Sequence, residues 1–108
     1  MNDEESIEDL REEIDRVKKT IPSFVSDMDP EGLGAEIGAL EKIVDNIDAR
    51  HNRLNKEYED CLTDIVLGRT VTQRCFSKYL EMIDLLELKR DAKNIITRAS
   101  DDLIKLIE

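Results

Sequence analysis

Leu33, Ile37, Leu40, Val44, Ile47, His51, Leu54, Tyr58, Cys61 and Ile65 recur at alternating steps of four and three. No other feature of the chain constrains its fold as strongly. Such a rhythm is that of an α-helix with one face buried against another helix. A helix over 30–67 is about 55 Å long at 1.5 Å per residue. It is no globule alone and needs a partner of similar length. Its start is marked by Asp29 as N-cap, Pro30 in the first helical position and Glu31 at the positive end of the dipole. Gly32, Gly34 and Gly38 weaken the first turns and leave room for a neighbouring helix. Gly68 is a natural C′ residue, free to adopt the left-handed conformation.

The partner follows directly. Thr70 and Gln73 form a capping box, and a helix then runs over about 70–107. Its first half offers Phe76, Tyr79, Ile83 and Leu86; its second offers Leu85, Leu88, Ala92, Ile95, Ala99 and Leu106. The phase changes within EMIDLLEL (81–88), through either a third element meeting the helix or a stutter in the heptad. A turn centred on Gly68 and Arg69 sets Leu54 opposite Ile83 and His51 near Leu86. Ahead of this hairpin, Ser6 and Asp9 cap a shorter helix carrying Ile7, Leu10, Ile14, Val17 and Ile21. Pro22 ends or kinks that helix, giving a span of about 6–21 and a linker over 22–29. The expected fold is all-α in a single domain, a long antiparallel hairpin with a short first helix packed on its open end. A two-helix arm is then left bare at the closed end. Leu54, Tyr58, Cys61, Ile65, Phe76, Tyr79 and Ile83 are its expected partner-binding residues.

Composition narrows the function classes. Charged residues are 39% and aromatics 4%, the mixture of long helices and coiled coils. A net charge of −10 is the wrong sign for a nucleic-acid surface or an anionic membrane. The N-terminus is acidic with no apolar h-region, and no segment reaches the ~18 apolar residues of a membrane span. The expected location is cytoplasmic. Cys61 and Cys75 lack CxxC spacing, and two free, packed thiols are expected before a disulfide. His51, the single histidine, follows Asp48 at helical spacing, but a di-metal bundle needs two such pairs. Gly68-Arg69-Thr70 has neither the first glycine nor the lysine of a phosphate loop. No catalytic residue, metal or cofactor is assigned.

Residues 7–17, IEDLREEIDRV, look like the opening of the all-helical chorismate mutases. That resemblance implies a small helical enzyme holding a dicarboxylate with basic side chains inside its bundle. It covers about a tenth of the chain, carries no catalytic residue across, and departs at Pro22, where that family's helix continues. Arg50, Arg53, Lys56 and Arg69 are the basic candidates by type. LELKRDAKNIITRA (86–99) resembles the K-x-D-L element of small coiled-coil subunits that assemble on lysosomes. Lys89 and Asp91 match, and Ala92 replaces the leucine. The layout of long antiparallel helices is shared with co-chaperone modules of the BAG type. The residues themselves favour a non-enzymatic assembly or adaptor subunit that packs against other protein helices, as a homodimer or within a hetero-oligomer. An acidic regulator of a basic surface is the alternative.

Overall fold

The computed structural model describes residues 6–69 and 72–108. They form three helices, α1 (Ile7–Ser26), α2 (Pro30–Val66) and α3 (Thr72–Ile107). The fold is the expected all-α three-helix bundle: α2 pairs with α3 along its length, and α1 packs on both. The molecule is 61 Å in its longest dimension and 18 Å in its shortest.

The seam of α2 makes the core. Leu33, Leu40, Ile47 and Leu54 are buried at heptad intervals, joined by Ile37, Ile43 and Val44. Leu85, Leu88, Ala92 and Ala99 of α3 complete it with Leu10, Ile14, Val17 and Ile21 of α1. Each large side chain fully withdrawn from water contributes about 1.5–3 kcal/mol. The phase change in 81–88 has the first of its two causes. Leu88 lies against Ile14 and Lys18 of α1, while Leu85 stays in the core, so α3 buries more than one face where α1 arrives.

Three ends of helices follow the sequence closely. The Ser6 hydroxyl accepts from the Asp9 N–H, and the Asp9 carboxylate accepts from the Ser6 N–H. Asp29 caps α2 by accepting from the Gly32 N–H at 3.0 Å. At the far end, the Arg69 N–H donates to the Asp64 carbonyl and the Gly68 N–H to that of Ile65. This is a Schellman turn with Gly68 at φ 71°. Thr70 of the expected capping box lies outside the described residues.

The end of α1 is a correction. The helix passes through Pro22 and continues to Ser26, leaving only 27–29 as a connection. Phe24 and Val25, expected in a linker, occupy its last turn and pack against the core. Their burial outweighs the hydrogen bond that Pro22 cannot donate. This end is also a Schellman turn: the Asp29 N–H donates to the Phe24 carbonyl and the Met28 N–H to that of Val25. The left-handed position is held by Met28 at φ 54°, where glycine is the usual residue. Of the three early glycines, only Gly32 is needed for close approach. A Cβ there would collide with the Phe24 ring, whereas Gly34 and Gly38 face open space.

Met28 is 73% exposed and makes little packing to lose. Met28→Gly should raise stability by up to about 1 kcal/mol, relief of left-handed strain exceeding the added chain entropy. Gly32→Ala should lower it by about 1–3 kcal/mol through overpacking. Gly34→Ala should raise it by about 0.5–1 kcal/mol. Urea unfolding followed by circular dichroism measures all three, and equal effects at Gly32 and Gly34 would contradict this account of the α1–α2 corner.

Candidate functional site: an arm with two unlike sides

Helix α1 lies along one side of the hairpin only. Leu10 and Glu13 adjoin Ala39, Ile43 and Asn46 of α2, while Ile14 and Lys18 adjoin Leu88, Asp91 and Ile95 of α3. Helical steps carry that side of α2 onward to Arg50, Glu57, Asp60 and Asp64. On the uncovered arm this side is polar. Buried Arg50 reaches Glu81 across the hairpin at 3.5 Å, and Lys78 pairs with Glu57 at 3.1 Å. Asp60, Asp64 and Arg74 line the groove beside them.

The opposite side differs in kind. Glu41 and Val44 of α2 lie there beside Lys93 and Ile96 of α3, with no residue of α1. The same steps lead along α2 to Asp48, His51, Tyr58, Leu62 and Ile65. On the arm this side is apolar and aromatic. The rings of Tyr58 and Tyr79 are 5.9 Å apart, and Phe76 stacks on Tyr79 at 6.4 Å. Of the ten large apolar side chains left exposed among the described residues, seven lie between Leu62 and Leu86. That clustering separates the arm from the ordinary scatter of surface hydrophobes.

The expected partner-binding residues divide accordingly. Phe76 (56% exposed) and Tyr79 (43%) are on the surface, with Tyr58, Ile65 and Ile83 half-buried beside them. Leu54 and Cys61 are buried between the helices and present nothing to a partner. The inner seam of α3 in this region is Cys75, Met82 and Leu85, one helical step away from Phe76, Tyr79, Ile83 and Leu86. Leu62, Val66 and Leu80 belong to the apolar surface and were outside the expected set; Leu62 and Val66 follow Tyr58 at steps of four. His51 is half-buried, and Arg50 takes the buried polar position on the seam in its place. Asp48 pairs with Lys89 at 2.6 Å.

Cys61 and Cys75 are joined in a disulfide, which corrects the expectation of free thiols. Packed helix axes lie about 8–10 Å apart, but facing Cα atoms each stand about 2.3 Å off the axis toward the other. Their separation of 5.7 Å is therefore within bridging range. The bridge sits one residue from Phe76 and three from Tyr58 in the chain, and Cys61 also lines the polar groove of Glu57, Asp60 and Lys78.

The basic candidates do not converge. Arg50 is engaged with Glu81, while Arg53, Lys56 and Arg69 are exposed. Arg11, Lys18 and Arg98 do meet in a groove of about 310 Å³ between α1 and α3, but Asp15 and Asp91 share it. Among the described residues, no group of three or more His, Cys, Asp or Glu is placed to hold a metal ion. Nor is any described helix long and apolar enough to cross a membrane. Fold and surface together define a helical bundle carrying a two-helix arm with one apolar side. No protein family, curated protein or solved structure matches the chain.

Opening the Cys61–Cys75 bridge frees a loop closed over a sequence separation of 14. Reduction, or Cys61→Ser with Cys75→Ser, should lower stability by about 2–3 kcal/mol. Urea titrations with and without reductant measure the loss. Hydrogen exchange should place most of it at the arm rather than under α1.

Proposed function

We propose that this chain is a non-enzymatic protein–protein interaction module that works by helix–helix packing on the apolar side of its arm. The observation that carries the reading is the exposed cluster of Phe76, Tyr79, Leu62 and Leu80 on a hairpin otherwise dominated by charge. Aromatic anchors on a rigid helical surface are the usual centre of an interface. Partner helices would cover these side chains and extend the two-helix arm into a larger bundle, with the charged flanks fixing orientation. The partners in this reading are other protein helices. Neither nucleic acid nor an inserted membrane segment is required. A cytoplasmic site of action belongs to the same proposal, and there the thiol pool would act on the Cys61–Cys75 bridge.

The reading is tested by position-specific photo-crosslinking in cells. A photoreactive residue replacing Phe76 or Leu62 should give protein adducts, and one replacing Asp60, across the arm, should give few. Equal labelling from both sides, or none from either, would remove the basis for an interface here.

A further inference from the structure

Charge distribution says what covers the apolar side of the arm. The net charge of the chain is not spread along it. Residues 1–49 carry fifteen acidic and five basic side chains, and thus the whole surplus of −10. Residues 50–86, which form the arm, carry six of each sign, and residues 87–108 five of each. The apolar face therefore lies on the neutral part of an acidic molecule. A strongly basic partner would be drawn to the α1 end and not to this surface. A second copy meets no net repulsion at the arm, provided the two α1 ends stay apart.

Resting on the interaction reading above, we infer that the arm pairs with the arm of a second copy of this chain, overlapped and antiparallel, to form a four-helix bundle. The two-fold axis passes near the Tyr58–Tyr79 pair, so that the Phe76 and Leu62 surfaces of each copy cover one another. Overlap of arms about 25 Å long places the two acidic ends at opposite extremities of the assembly. They are then separated by several Debye lengths of about 8–10 Å.

Surface area agrees with this arrangement. Leu62, Val66, Phe76, Tyr79 and Leu80 are 42–85% exposed. Together they offer roughly 500 Å² per copy, or about 1,000 Å² for two, near the lower limit for a specific interface. The half-buried Tyr58, Ile65 and Ile83 add to it. The interface is isologous, each patch meeting its own copy, and needs no second surface on the molecule.

The test is sedimentation equilibrium of the oxidised full chain from about 1 to about 100 μM, in low and high salt. The expected result is a species of twice the chain mass whose Kd changes less than about threefold with salt. Phe76→Glu with Tyr79→Glu should weaken pairing at least about 100-fold while the helical circular dichroism is kept. Asp60→Lys, on the polar side, should leave it unchanged. Should the double variant unfold, Phe76→Ala with Leu80→Ala replaces it. A wild-type monomer throughout this range overturns the inference. So does a dimer that either arm variant leaves intact. A dimer that forms only in high salt overturns the antiparallel overlap, because it places the acidic ends side by side. Photo-crosslinks from position 76 to a different protein, with the wild type monomeric, would overturn self-pairing and leave the interaction reading standing.

Discussion

Everything in this molecule depends on burying the seam of α2 against α3. Leu33, Leu40, Ile47 and Leu54 recur every seven residues, and Cys61 continues the line to the tip. A helix of 37 residues with such a seam is unstable in water until the seam is covered. One partner of nearly equal length covers it from end to end. Helix α1 is an addition to that pair, filling the angle between α2 and α3 where Leu85, Leu88 and Ala92 also turn inward.

The place of α1 gives the hairpin its asymmetry. The side it occupies continues along the arm as charge, and Arg50–Glu81 and Glu57–Lys78 lie across it. Partly exposed pairs such as Glu57–Lys78 add little to stability, whereas the guanidinium of Arg50 is buried; together they make that side polar. The apolar side faces the other way. Lengthening α1 would not cover it, so the exposure of Phe76 and Tyr79 does not come from a short first helix. The Cys61–Cys75 disulfide holds the two helices at close range within the arm.

Local signals in the sequence were accurate wherever a few adjacent residues decide the outcome. Ser6 and Asp9, Asp29 and Pro30, and Gly68 all mark helix ends as capping chemistry dictates. The facing register was legible too, since Tyr58 lies against Tyr79 and Cys61 opposite Cys75. Pro22 misled because its local cost is offset by Phe24 and Val25 in contact with the core, one helix away in space. Met28 gave no sign of a left-handed turn, because the two hydrogen bonds closing it are accepted by the Phe24 and Val25 carbonyls of that same unexpected helix end.

The sequence by itself determined that this is an all-α hairpin with a capped first helix, because heptad spacing and capping act within a few residues of the chain. Only the tertiary structure decided which side of the hairpin α1 takes. It also decided how α2 and α3 are rotated against each other, which turns Arg50 rather than His51 into the seam, buries Leu54 and Cys61, and leaves Phe76, Tyr79 and Leu62 outside. The physical reason is rotational. A step of one residue turns a helix by about 100°, so a heptad pattern names a face to within a neighbour, and contact with a second helix fixes the rest.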